Sequence, residues 1–137
     1  MNKKLILLLV VLVVIGIGAS ALYLFNKAPE SVVDKAPDIS VDANIILSEY
    51  EEDEASANTK YLDKIVEVTG TVKEVIEKEN EFIVLLGNED SLGAVSCTLG
   101  IDQKSIAYGL KSGDNVTVKG VCTGYLIDVI MVDCHVV

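Results

Sequence analysis

Three cysteines and one histidine are among the side chains of this sequence that could act as nucleophiles, redox groups or metal ligands. Cys97, Cys122 and Cys134 each lie in a run of alternating apolar residues, and His135 directly follows the last of them. Alternation along a strand sends Cys134 and His135 to opposite faces. No Cys-x-x-Cys pair, as found in many zinc sites, is present. We therefore assign no catalytic, metal or cofactor-binding residue.

Two interpretations of the cysteines stay open, because alternation places all three thiols on inward faces. Buried thiols behave as small apolar side chains, whereas an oxidising compartment permits one disulfide. Cys122 and Cys134 are the candidate disulfide, since they lie on consecutive strands with a short connection and register decides whether they face each other. Cys97 is the competing partner, because its strand can lie beside the last one.

Five segments rich in β-branched residues are predicted to be strands. A short helical pattern at residues 102–110 separates the third segment from the fourth. This order is typical of the OB-fold, a five-stranded Greek-key barrel, and Gly70 would let the long first strand bend. A different small β-barrel or an α+β sheet is the main alternative. The predicted strands are residues 65–76, 82–86, 93–99, 115–125 and 129–136.

A leading helix is predicted before the strands. Ile46, Tyr50, Ala57 and Tyr61 recur at steps of four and seven, which makes one apolar stripe. Ser40 is expected to cap the start of this helix.

Two tyrosines are candidate ligand-face aromatics. Tyr108 lies in the short helical segment and Tyr125 at the end of a strand, and OB-folds stack ligands on such rings. The alternative is that Tyr108 packs the helix on the barrel and Tyr125 only ends the strand.

The charge balance argues against nucleic acid as a partner. The chain has 11 Lys, no Arg and 21 acidic residues, a formal net charge of -10, which repels a polyanion. Arg is also the residue that binds phosphate with two parallel hydrogen bonds. The acidic run at residues 49–54 is interpreted as a solvated helix face, because the spacing and glycine of a calcium loop are missing.

An uncharged run at residues 5–25 follows Lys3 and Lys4. As a helix it is about 31 Å long, the thickness of a hydrocarbon core, and the lysines predict that the rest of the chain is outside the cytoplasm. A signal peptide cleaved at residues 19–21 is the alternative, but it would leave an apolar stub, so we favour an uncleaved anchor.

The predicted organisation has three parts. Residues 1–25 are the signal anchor or transmembrane helix, residues 26–39 are a linker with both prolines, Pro29 and Pro37, and residues 40–137 are an OB-fold-like domain with its leading helix.

Several short segments of this domain form a recognisable pattern when their order and spacing are taken together. The segments are Asp-Glu-Ala at 53–55, Tyr-Leu-Asp-Lys at 61–64, Glu-Val-Thr-Gly-Thr-Val at 67–72, Val-Ser-Cys at 95–97, Gly-Asp-Asn-Val-Thr-Val-Lys-Gly-Val-Cys-Thr-Gly at 113–124 and Asp-Cys at 133–134. Together they resemble the tRNA-anticodon-domain-like (tRNA_anti-like) OB-fold family of bacterial exported proteins over roughly residues 40–137. The resemblance implies a fold and an exported location, and it transfers no functional residues, because fold does not carry function with it.

These observations favour a non-enzymatic binding module on the periplasmic side of the cytoplasmic membrane, with a protein, peptide or oligosaccharide as its partner. An oligonucleotide-binding OB-fold protein is the alternative, and the net negative charge and the absence of Arg disfavour it. A redox or hydrolytic enzyme would need a paired catalytic constellation, which the sequence does not contain.

The run at residues 5–25 generates a test of location. Protease added to spheroplasts should digest the domain, because the positive residues before the run keep the N-terminus inside. Carbonate washing should leave the protein in the membrane pellet. A protease-protected domain would contradict the orientation, and a mature N-terminus at Leu22 would contradict the uncleaved anchor.

Overall fold

The chain divides into two compact units, Met1–Glu30 and Ser31–Val137. The structure is a computed structural model that describes residues 2–26 and 31–137. In the first unit, α1 (Lys3–Asn26) has no buried residue. By length and composition α1 could cross a membrane, and it fits a transmembrane or signal anchor. Pro29, in the predicted linker, lies outside the described residues.

The second unit is a closed barrel. Its strands are β1 (Ile39–Asp42), β2 (Ile65–Lys78), β3 (Glu81–Leu86), β4 (Val95–Leu99), β5 (Asn115–Tyr125) and β6 (Val129–Val136). The sheet has the order β1-β2-β3-β4-β6-β5, and a further pairing of β2 with β5 closes it. Strand β4 runs parallel to β6 and the other barrel pairs are antiparallel, so the predicted five-stranded OB-fold is confirmed, with β1 as an additional strand.

The predicted leading helix is wrong at its start and in its continuity. Ser40 lies in β1, which pairs in parallel with β2, and pairing along that strand overrides the local helical preference. Helix α2 (Ala43–Glu52) begins after Asp42, whose carboxylate accepts the backbone N–H of Asn44 at 2.8 Å.

Asp53 ends α2 and caps the next helix, α3 (Glu54–Tyr61), by accepting the backbone N–H of Ser56 at 3.1 Å. The predicted apolar stripe is nevertheless confirmed. Its four members on α2 and α3 are all buried: Ile46, Tyr50, Ala57 and Tyr61.

The acidic run is only partly a solvated face. Glu49 links α2 to α3, because its carboxylate accepts hydrogen bonds from Lys60 Nζ at 2.8 Å and from Tyr61 Oη at 2.7 Å. The hydrogen bond from Lys60 lowers the pKa of Glu49. Glu51 and Glu52 are exposed, as predicted.

At the other end of the barrel, the helical pattern of residues 102–110 forms a 3-10 turn (Ile101–Gln103) and then α4 (Lys104–Gly109), between β4 and β5. The compact unit also begins earlier than residue 40. A 3-10 turn at Val32–Asp34 buries Val32, and Lys119 Nζ on β5 donates to the carbonyls of Val33 and Lys35.

Strand β2 serves both halves of the barrel, since its first half pairs with β5 and its second half with β3. Between the halves, a Cβ added to Gly70 would lie 2.6 Å from the Cβ of Ala43. Glycine at this position therefore lets the first turn of α2 approach the strand closely.

Replacing Gly70 tests this close approach. Gly70→Ala should lower the free energy of unfolding by about 1–3 kcal/mol, because helix or strand must shift to admit the methyl group. Gly109→Ala is the matched control, since nothing lies within 4 Å of a Cβ there. Urea unfolding of the full-length protein in detergent measures both, and equal midpoints for the two variants would contradict the prediction.

Candidate functional site

The two candidate ligand-face tyrosines do not form one site. The ring of Tyr108 packs edge-on against Phe82 with centroids 5.2 Å apart. Its hydroxyl donates to Glu77 at 2.7 Å, and this hydrogen bond to a carboxylate raises the pKa of Tyr108. Tyr125 stacks on Tyr50 at 5.3 Å. Each ring therefore packs against a different part of the domain.

Cys122 is a buried free thiol that does not face Cys134. Its partner across the β5–β6 ladder is Met131, and its sulfur lies 3.4 Å from Tyr50 Oη. Burial is the main cause that raises the pKa of Tyr50, and this contact with Cys122 raises the pKa further. The candidate disulfide is not formed in this structure, because the register of the β5–β6 hairpin pairs Cys122 with Met131, three residues before Cys134.

The thiol next to Cys134 is Cys97, and both are buried and free. Their hydrogen bond, together with burial, raises the pKa of Cys134 well above its usual range. Gly120 on β5 makes room for this sulfur, since a Cβ there would lie 2.5 Å from Cys134 Sγ. These thiols are core side chains in the structure.

The outer surface of β3, β4 and β6 carries a patch of uncharged side chains, which we name the strand face. Along each strand the alternate residues are fully buried, so these side chains point outward and are partly exposed. Pairing between neighbouring strands sets these side chains in rows. Ile83 on β3 pairs with Thr98 on β4, and Leu85 on β3 pairs with Ser96 on β4. Ser96 pairs in turn with Ile130 on β6. The strand face consists of Ile83, Leu85, Ser96, Thr98, Ile130 and Val132.

A cleft of about 320 Å³ adjoins the strand face, and we name it the acidic cleft. Thr98 and Val132 belong to both features, so the apolar surface leads directly into the cleft. Three carboxylates line it and no lysine does. Its lining residues are Glu81, Thr98, Leu99, Gly100, Asp102, Val132, Asp133 and His135.

One imidazole nitrogen in the acidic cleft has no hydrogen-bond partner. His135 Nδ1 is buried and lies 3.6 Å from Asp102 Oδ2, which is too long for a hydrogen bond. Asp133 adopts a left-handed backbone conformation, with φ at 51°, which Asp tolerates better than most residues. Among the described residues, no group of three His, Cys, Asp or Glu side chains could hold a metal ion.

The lysines near the strand face do little to neutralise the negative charge around it. Residues 31–137 contain eight Lys against twenty Asp and Glu. Lys73, on the strand beside β3, donates through Nζ to the carbonyl of Ser91 at 2.8 Å, and Lys78 pairs across the ladder with Glu81.

Comparison with known proteins gives the family. The model of the tRNA_anti-like family matches residues 1–136 of this chain. The chain belongs to the tRNA_anti-like family. No curated protein matches its sequence closely enough to count as a relative.

Solved structures of other proteins share the fold of this tRNA_anti-like domain. A proposed nucleic acid-binding lipoprotein from Klebsiella pneumoniae matches with a TM-score of 0.59 and 19% identity, covering 70% of this chain and 90% of the other. A proposed aspartyl-tRNA synthetase from Leishmania major matches with a TM-score of 0.50 and 15% identity, covering 87% of this chain and 26% of the other. At these identities the likeness concerns the fold alone.

Sequence reasoning missed the strand face and the acidic cleft. One signal was present, because β3 is apolar at every position after Glu81, whereas a strand with a solvated outer face usually alternates with polar residues. The cleft had no comparable signal, since its acids come from three separate segments.

The thiols of the tRNA_anti-like domain generate the next prediction. Denaturation without reductant, followed by alkylation and mass spectrometry, should label three cysteines per chain, as expected for free buried thiols. The folded protein should resist the same reagent, because all three are inaccessible. A linked peptide containing Cys122 and Cys134, or Cys97 and Cys134, would contradict this result.

Proposed function

We propose that this protein is a non-enzymatic binding module, held by α1 at the outer side of the cytoplasmic membrane, that binds its ligand on the strand face. The observation that carries the proposal is that this outer surface is uncharged and largely aliphatic, in a domain that is otherwise rich in exposed acids. OB-folds bind their ligands on the face of their second and third barrel strands, which are β3 and β4 in this domain. The location rests on the apolar helix α1, which begins with Lys3 and Lys4.

The arrangement of the reactive groups favours binding over catalysis. The three thiols are buried in the core, away from any substrate. Among the described residues, no nucleophilic side chain forms a hydrogen bond with His135 Nδ1. A histidine that activates a nucleophile as its general base needs such a hydrogen bond.

A protein, peptide or oligosaccharide fits this surface better than an oligonucleotide does. Single-stranded nucleic acid binding uses a basic groove and aromatic rings that stack the bases. The strand face has neither, and acids line the adjoining cleft. The Klebsiella pneumoniae lipoprotein is named as a proposed nucleic acid-binding protein, so the oligonucleotide alternative is kept as an outcome of the test.

Site-specific photocrosslinking in intact cells tests the proposal. Benzoylphenylalanine at Ser96, in the middle of the strand face, should give discrete adducts on irradiation. The same group at Glu51, an exposed position on α2, is the matched control and should not give these adducts. Leu85→Lys should reduce the Ser96 adducts at least fivefold, because it places a charge in the apolar contact.

The chemical class of the adduct decides between the alternatives. Adducts that are sensitive to protease or to glycosidase agree with the proposal. Nuclease-sensitive adducts, together with sub-micromolar oligonucleotide binding that weakens steeply with salt, would establish the oligonucleotide alternative instead. Adducts at Glu51 and none at Ser96 would place the binding surface elsewhere.

A further inference from the structure

We propose that the ligand of the strand face is an extended cationic segment of a partner protein. Its aliphatic side chains would pack on the strand face, and the head group of one Lys or Arg would enter the acidic cleft. This inference rests on the proposed function, because it names the class of ligand for the same surface.

The spacing of the strand face suits an extended chain. Ile83 and Leu85 are two residues apart on one strand, as are Ser96 and Thr98 on the next. Outward side chains in such strands repeat at about 6.6 Å, which is also the repeat of alternate side chains in an extended peptide. A segment with an aliphatic residue at every second position can therefore match the rows of the face.

The charge of the acidic cleft selects a cation. Glu81, Asp102 and Asp133 line it, and the side chain of Asp102 is 61% exposed. These carboxylates, with the other described residues, form no group that could hold a metal ion. The cleft, of about 320 Å³, has room for an ammonium or guanidinium group on a long flexible stem.

His135 adds a polar contact inside the cleft. In the neutral tautomer that carries its proton on Nε2, Nδ1 can accept a hydrogen bond from the N–H of a guanidinium or ammonium group that displaces the exposed Asp102 carboxylate beside it. Such a bond would satisfy a buried atom that otherwise has no hydrogen-bond partner.

The same features disfavour the other ligand classes. An anionic segment would be repelled by a unit with twenty acids and eight lysines. The strand face offers two hydroxyl groups and four aliphatic side chains, without an aromatic ring on which a sugar could stack. A peptide is thus favoured over an oligosaccharide.

Binding of short defined peptides to the full-length protein tests the inference. The protein is placed in nanodiscs of zwitterionic lipid, so that the lipid itself does not attract the peptides. The probes are capped octapeptides that alternate Val with Lys, Gln or Glu and carry a fluorophore for anisotropy. The Val-Lys peptide should bind at least tenfold more tightly than the Val-Gln peptide, and the Val-Glu peptide should not bind.

Variants of the cleft separate its charge from the apolar face. The double variant Asp102→Asn with Asp133→Asn should weaken Val-Lys binding about tenfold and leave Val-Gln binding unchanged, because it removes two exposed ion-pair partners. Asn at position 133 also tolerates the left-handed backbone. The double variant Glu51→Gln with Glu52→Gln has the same change of net charge on α2 and should leave both affinities unchanged.

Variants of the strand face separate the failure of this inference from that of the proposed function. Ile83→Thr with Leu85→Thr keeps good strand formers and should weaken the Val-Lys and Val-Gln peptides alike, with urea unfolding used to confirm folding. Equal affinities for Val-Lys and Val-Gln, both lost in this variant, would overturn the cationic ligand but keep the binding face. If the Val-Lys peptide still binds this variant with unchanged affinity, both the proposed function and this inference are wrong. If none of the peptides binds the wild-type protein, only this inference is wrong.

Discussion

The rest of the structure depends on the closure of the sheet by β2. One strand must pair with β5 along its first half and with β3 along its second half, and the register irregularity after Val72 and the glycine at position 70 permit that bend. Closure divides every strand into an inward and an outward set of side chains. The inward set is the core, and the outward set contains the strand face.

The second constraint is that the apolar core of the barrel must be shielded from water, and α2 and α3 pack over it. Ala43 packs against Gly70, and farther along the helices Tyr50 contacts both Tyr61 and Tyr125. Glu49 joins the two helices through Lys60 and Tyr61. Tyr125 thereby contributes to the packing against α2.

The acidic cleft exists because β6 is irregular. Its pairing with β4 shifts by one residue between Cys97 and Leu99, and Asp133 in the left-handed conformation lies at this shift. The bulge lets Asp133 and His135 line the same cleft as Glu81 and Asp102.

Local patterns determined much of this protein. The 5–25 run predicted an apolar helix, alternation predicted five strands and the inward cysteines, and the steps of four and seven predicted the stripe that includes Ile46. Such properties follow from period and composition alone. Tertiary structure decided that Ser40 joins a strand, that Cys122 faces Met131 and that three distant segments meet in one cleft. Those outcomes depend on register and on contacts between residues far apart in sequence, which a one-residue bulge can change without altering any local pattern.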